Sequence, residues 1–320
     1  MKQKIVCMLR LTEAEKNLFR EAAGENEIIF TKDSTPEYKS VIPVDEELVK
    51  DADVLMGWLP SDLVPKAVHL KWLQAQSSGV DNFTAPGVLP AGAMLTSATG
   101  AYGLSVAEHT FGMMLAIMKN LPGYRDQQND HNWSDLGPVL SPKGLDILIL
   151  GTGDLGSKFA CYCKAFDAHT IGVRQDPSKP AAGIDEMHGM EDLDELVAQA
   201  DVVCSLLPHI ESMVRYFDYD RLMSMKKNAI FINAGRGSIC DNAALARVLA
   251  EGHLWGAGLD TTEKEPMPAD HPLWAEPKAF ITPHVAGGDH LEDTLRKIAV
   301  IGLENLKHYL AGEPLRNRKV

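Results

Sequence analysis

LDILIL at residues 145–150 runs directly into GTGDLG at 151–156, and this junction decides how the rest of the chain is read. The first six residues form an apolar run of the length expected for a strand buried on both faces. The next six form a GxGxxG turn in which each glycine has its own task. Gly151 permits the tight turn, Gly153 lets the backbone approach a pyrophosphate, and Gly156 lets the following helix pack close on the strand. Asp154 and Leu155 complete the loop. The helix is expected over SKFACYCKAF, 157–166. Its first N–H groups and positive dipole end would face the phosphates, so the loop needs no basic side chain. AHTIGV (168–173) reads as the returning strand. A lone GxGxxG is an ordinary glycine turn more often than a binding site. Between a strand and a helix, with a second strand after it, the pattern reads as a dinucleotide-binding unit.

The 320 residues exceed what one hydrophobic core usually organises, which favours two domains. A formal charge of −13 weighs against nucleic acid or an anionic membrane as partner. An anionic small substrate would then be held by local positive groups. The five cysteines, Cys7, Cys161, Cys163, Cys204 and Cys240, are odd in number and show no CxxC pair. They read as reduced packing residues of a cytoplasmic protein. The apolar run IVCML (5–9) is too short for a signal-peptide core, and no segment is long and apolar enough to span a bilayer.

Residues 1–99 alternate strand and helix patterns without a glycine fingerprint: KIVCML (4–9), EIIF (27–30), DVLMGW (53–58), KWLQAQ (71–76) and AMLTS (93–97) are strand candidates. Thr12 and Glu15 are spaced as a capping box for the helix TEAEKNLFREAAG, with Gly24 as its stop. SSGVDN (77–82), at a strand end, is either a plain turn or a run of backbone N–H groups suited to a carboxylate. GLSVAEHTFGMMLAIMKNL (103–121) has helical spacing, and SATGAY (97–102) before it reads as a hinge. The polar stretch from Pro122 to Gly144 reads as irregular, a surface loop or an arm towards a partner subunit, with the arm preferred. Further on, DVVCSLL ends at Pro208 and His209, AIFIN at AGRG, WGAGL at Asp260, and KAFIT at Pro283 and His284. In an open parallel sheet these ends share the edge that bears the glycine turn, so Arg236, Asp260, Glu265 and His284 are expected to converge there. A last amphipathic helix, 288–311, is expected to return to the first domain.

These residues resemble the D-isomer-specific 2-hydroxyacid dehydrogenase family over nearly the whole chain. The likeness rests on SSGVDN, SVAEHTFGMMLA (105–116), GTGDLG, NAGRGSICDNAAL (233–245), GAGLDTTEKEPMPADHPLW (256–274) and TPHVAGG (282–288). It implies a Rossmann-type doubly wound parallel sheet domain, 100–286, inserted into a smaller flavodoxin-like α/β substrate domain, 1–99 and 287–320. It also implies a homodimer, NAD or NADP as cofactor, and a small 2-oxo acid such as glyoxylate or hydroxypyruvate as substrate. The family's arginine, glutamate and histidine fall on Arg236, Glu265 and His284. Its aspartate beside the nicotinamide amide falls on Asp260, and Pro208 joins the cofactor contacts. Arg236 would fork the substrate carboxylate and carbonyl, as a lysine cannot. His284 would be the proton donor, kept charged by Glu265. Ser78 and Gly79 would offer N–H groups to the carboxylate from the first domain, and Trp58, with Leu59 beside it, would form pocket wall. Each has a plainer reading: a solvated arginine, a structural histidine, a loop acid, and in Asp260 a cap of the following turn.

Two positions depart from the family pattern. Where NAD-using members carry an acid after the second strand, this chain has Arg174, which favours NADPH; Asp176 is a rival acid for the ribose. In LPHIESMV (207–214) the family's threonines are missing, and His209 and Ser212 stand in their place. A different class of function also fits the motifs, a nucleotide-sensing regulatory protein with little turnover. Formate oxidation is disfavoured, because that branch carries glutamine where Glu265 stands.

Overall fold

The computed structural model describes residues 2–31 and 45–320. Contacts divide the chain into two compact units, Met1–Tyr102 with Asp289–Val320, and Gly103–Gly288.

The first unit is built from β1 (Lys4–Cys7), α1 (Glu13–Ala23), β2 (Glu27–Phe30), α2 (Glu46–Lys50), β3 (Val54–Gly57), β4 (Trp72–Ala75), α3 (Asp81–Thr84) and β5 (Met94–Thr96). The strands pair in parallel in the order β2-β1-β3-β4-β5, which is the flavodoxin-like order. The helix start is local chemistry: the Thr12 hydroxyl accepts the Glu15 N–H at 3.3 Å, and the Glu15 carboxylate accepts the Thr12 N–H at 2.8 Å. Gly24 ends α1 at φ 59°. The C-terminal helix, Glu292–Ala311, begins four residues later than the 288 expected. Its buried Asn305 donates to Gln74 Oε1 at 2.7 Å, and Thr96 donates to that same oxygen at 2.7 Å. These polar groups satisfy one another inside the core, as buried polar groups must.

The second unit contains α4 (Gly103–Met118), α5 (Leu121–Asn129), β6 (Asp146–Leu150), α6 (Asp154–Ala165), β7 (His169–Val173), β8 (Glu186–His188), α7 (Leu193–Gln199), β9 (Val202–Ser205), α8 (Tyr219–Ser224), β10 (Ile230–Asn233), α9 (Asn242–Ala250), β11 (Gly256–Leu259) and β12 (Ala279–Ile281). All seven strands run parallel, in the order β12-β11-β10-β9-β6-β7-β8. The order reverses between β6 and β9. That is a topological switch point, where open α/β sheets bind ligands beyond the strand carboxyl ends. The middle strands are buried on both faces, so they read as continuous apolar runs.

Two expectations are corrected here. The segment expected to be irregular from Pro122 begins as α5, because Asn120 takes a left-handed turn (φ 55°) and Pro122 falls in the first turn of a new helix. None of its residues is buried, so it carries no apolar stripe to read. Residues 132–140 have neither helix nor strand. The helix after the fingerprint starts at Asp154 instead of 157, with Gly153 as N-cap, which places Gly156 inside its first turn.

All five cysteines are free thiols. Cys7, Cys163, Cys204 and Cys240 are buried, and burial pushes each thiol up, Cys7 to about 12; Cys161 alone is exposed. Among the described residues, no helix is long and apolar enough to cross a membrane.

Candidate active site

The glycine turn has the shape a pyrophosphate needs. Gly151 sits at φ 92°, and a Cβ there would crowd the Leu206 carbonyl at 3.1 Å. A Cβ at Gly156 would collide with the Gly151 carbonyl, so only glycine lets α6 approach β6 this closely. At Gly153 a Cβ would meet nothing within 4 Å, so that face of the loop is open. No side chain caps α6, and its first N–H groups face the loop opening. A dinucleotide fits this cradle. Asp154 places an acid beside it, but Lys158 pairs with one carboxylate oxygen and neutralises the charge locally. The other oxygen is buried without a hydrogen bond, against Gly103 at the start of α4. Leu155 is half-buried.

Beyond β7, Arg174 is half-buried and its guanidinium donates to the Lys179 carbonyl at 3.2 Å. Asp176 accepts from Ser178 Oγ at 2.6 Å and pairs with Lys179 Nζ at 3.1 Å, contacts that hold its carboxyl below the usual range. The turn therefore presents two cations, Arg174 and Lys179, and its one acid is tied to the second. Lys179 was passed over in the sequence because it lies six residues beyond the strand end. After β9, Pro208 is exposed; His209 lies 3.2 Å from Ser238 Oγ and 3.3 Å from Glu211.

Strands β10, β11 and β12 deliver the remaining polar groups to the same edge. Asn233 wraps the turn after β10, accepting the Gly235 N–H at 3.1 Å and donating to the Arg236 carbonyl at 3.0 Å. Arg236 is half-buried, with one guanidinium nitrogen on the Gly235 carbonyl at 3.1 Å. Glu265 lies on the loop after β11, where its Oε1 accepts the Thr262 N–H at 3.0 Å and its Oε2 lies 2.7 Å from His284 Nδ1. The His284 and Glu265 side chains remain 48% and 39% exposed, so the pair is open to a small molecule. The Glu265 hydrogen bond raises the His284 pKa against the opposing effect of burial, Glu265 and Asp260 add to it, and Arg236 works against it. Glu265 is lowered: burial opposes ionisation, but His284, the Thr262 N–H and Arg236 more than offset it. Arg236, Glu265 and His284 thus lie close enough for each charge to act on the others.

Asp260 is 2% exposed, and its carboxylate accepts Thr282 Oγ–H at 2.6 Å, the Val285 N–H at 2.9 Å and the Ala286 N–H at 3.1 Å. It holds the turn that carries His284, and not the turn directly after Asp260, where the plainer reading put the cap. In the first unit, Ser78 Oγ lies 3.3 Å from Thr99 Oγ1, and Ser77 Oγ donates to the Gly79 carbonyl at 2.6 Å. Trp58 is half-buried, whereas Leu59 is fully buried in that unit's core and cannot form pocket wall.

The model of the D-isomer specific 2-hydroxyacid dehydrogenase NAD binding domain matches residues 111–286. A solved family protein from Aeromonas salmonicida is similar over 100% of this chain and 99% of its own, with a TM-score of 0.83 and 30% identity. Glyoxylate reductase of Thermofilum pendens is 30% identical over 87% of this chain and 85% of its own length. D-3-phosphoglycerate dehydrogenase of Methanocaldococcus jannaschii is 33% identical over 85% of this chain, which spans 52% of that longer protein. With a family model covering more than half of it and a family structure matching it end to end, this chain belongs to the D-isomer specific 2-hydroxyacid dehydrogenases, oxidoreductases that work with a nicotinamide dinucleotide.

Proposed function

We propose that the protein reduces a small 2-oxo acid of the glyoxylate or hydroxypyruvate kind to the D-2-hydroxy acid, with NADPH preferred over NADH. The observation that carries this reading is the 2.7 Å bond between His284 Nδ1 and Glu265, made on the sheet edge that also bears the glycine cradle. With Nδ1 engaged, Nε2 is the ring atom that can serve a substrate. When bound in the cradle, the dinucleotide supplies the hydride. Arg236 holds the carboxylate and carbonyl oxygens of the acid with its planar fork, fixing which carbonyl face is presented. His284 enters the reaction as imidazolium and passes the Nε2 proton to the nascent alkoxide; in the reverse direction it takes that proton back. Glu265 keeps the imidazole charged near neutral pH and fixes the ring's orientation.

The substrate class also follows the similarity to the Thermofilum glyoxylate reductase. The cofactor preference rests on Arg174, now with Lys179 beside it: both suit a 2′-phosphate, and Asp176 is already paired. In the first unit, the N–H groups of Ser78 and Gly79 are the proposed carboxylate donors, and Trp58 the proposed size filter. A cytoplasmic homodimer, with the 122–144 segment as its arm, is the proposed assembly. The test is a matrix of glyoxylate, hydroxypyruvate, pyruvate and a phosphorylated 2-oxo acid against NADPH and NADH. No turnover with any acid removes the reductase reading, and higher kcat/KM with NADH removes the cofactor preference.

A further inference from the structure

SVAEH at 105–109, near the start of α4, contains a histidine that the chemistry above leaves unused. Ser105 and His109 are four residues apart and share one face of the helix. Ser105 Oγ donates to the Ala286 carbonyl at 2.8 Å, and His109 Nε2 lies 3.0 Å from Thr282 Oγ1. The helix therefore grips both ends of the 282–286 turn on which His284 stands. Asp260 lies within that grip, its carboxylate on Thr282, Val285 and Ala286, and its backbone carbonyl accepting the His284 N–H at 2.7 Å.

Counting hydrogens fixes the direction of the chain. A threonine hydroxyl has one hydrogen, and at 2.6 Å from Asp260 Oδ1 that hydrogen belongs to the bond with the carboxylate, which when ionised can only accept. His109 Nε2 must then donate to Thr282. The same nitrogen lies 3.7 Å from Asp260 Oδ1. At 2% exposure the Asp260 carboxylate depends on the donors gathered round it, and His109 holds the Thr282 hydroxyl in place as one of them. His284, meanwhile, is held at φ 52°, a left-handed conformation that a side-chain-bearing residue keeps only when its surroundings impose it.

We propose that His109 is a positioning residue for the proton donor: through Thr282 and Asp260 it imposes the turn conformation that aims His284 at the substrate. The proposal rests on the reading of His284 as proton donor. The charged groups facing His284 are Glu265 and Asp260, which favour its protonated form, and Arg236, which opposes it. Weakening the hold on Asp260 should therefore lower the His284 pKa as well as misplace its ring.

The experiment compares His109→Leu, which fills the space without a donor, with His109→Gln, whose amide can donate to Thr282. His284 is titrated by side-chain NMR in the full chain without cofactor, alongside steady-state kinetics. The leucine variant is expected to titrate His284 at lower pH and to lose about tenfold in kcat, the order of one hydrogen bond, with little change in cofactor KM. Glutamine is expected to restore most of both. A folded leucine variant that matches wild type in both readouts overturns the proposal, as does a glutamine variant as impaired as leucine. Should leucine prevent folding, His109→Asn, too short to reach Thr282, takes its place with the same two outcomes. The titration needs no turnover, so it stands even if the 2-oxo acid reading fails.

Discussion

Gly237 follows Arg236 directly, and a side chain there should disable the site without unfolding the protein. An alanine Cβ at 237 would lie deep inside the Thr262 carbonyl and 2.7 Å from Glu263 N, where ordinary contact begins at 3.4 Å. Both obstacles are backbone, so neither can rotate away, and the two segments must part by on the order of 1 Å. One segment carries Arg236. The other is the loop on which the Thr262 N–H holds Glu265 at 3.0 Å and, through it, His284 at 2.7 Å. The loop cannot simply slide, because Asn242 Oδ1 accepts the Glu263 N–H at 2.7 Å and Arg215 pairs with the Glu263 carboxylate at 2.6 Å. Misplacing reacting groups by ~1 Å costs about 100-fold in rate, and over-packing costs about 1–3 kcal/mol in stability. The expected result for Gly237→Ala is therefore a kcat/KM for 2-oxo acid reduction about 100-fold down, measured with saturating cofactor well below the melting temperature. Cofactor affinity, read by fluorescence titration, should stay within about threefold, since the glycine cradle lies on β6 and α6. A variant that is folded and as active as wild type would refute the claim that the 236–237 turn and the 262–265 loop are positioned against each other for catalysis.

Glu265→Gln should move the basic limb of the reduction pH profile downward. Glu265 raises the His284 pKa, the acid form is lost as pH rises through that pKa, and removing the carboxylate lowers it; an upward shift or none, in kcat/KM against pH, excludes the pairing. Arg236→Lys should lose most turnover, about 100-fold or more, while binding cofactor nearly normally, because an ammonium cannot form two parallel bonds to a carboxylate; unchanged kcat/KM would remove Arg236 from the site. Arg174→Asp should shift the NADPH to NADH ratio of kcat/KM towards NADH by about tenfold or more, as an acid repels the 2′-phosphate and can bind the ribose hydroxyls. A ratio unaltered by the substitution would show that another group reads the ribose.

What could be read from the sequence was whatever local chemistry decides. The Thr12–Glu15 capping box, the strand before GTGDLG and the polar residues ending each apolar run need only their neighbours to be recognised, and each stands where the pattern put it. Helix α5 was missed because its packing buries no residue, which leaves no periodicity. Strand β8, EMH, is too short and polar to show a period of two. At the site, residue types at strand ends suggested which side chains share an edge, but not what each does there. Asp260 reads from sequence as the acid beside the nicotinamide or as a cap of the turn that follows it, and nothing local announces that its three donors lie 22 to 26 residues away, on the turn of His284. The link from His109 to Thr282 spans 173 residues and has no local signature at all.

The uneven burial of the five thiols has a practical consequence. Four are sealed in the cores, and at least Cys7, held near 12, stays protonated at any pH used for alkylation, so a maleimide has one partner, Cys161. That residue lies on α6, the helix whose first turn forms the nucleotide cradle. The native chain thus accepts a fluorophore at one known place, with no cysteine to remove, on the segment whose surroundings change when a dinucleotide settles at its amino end.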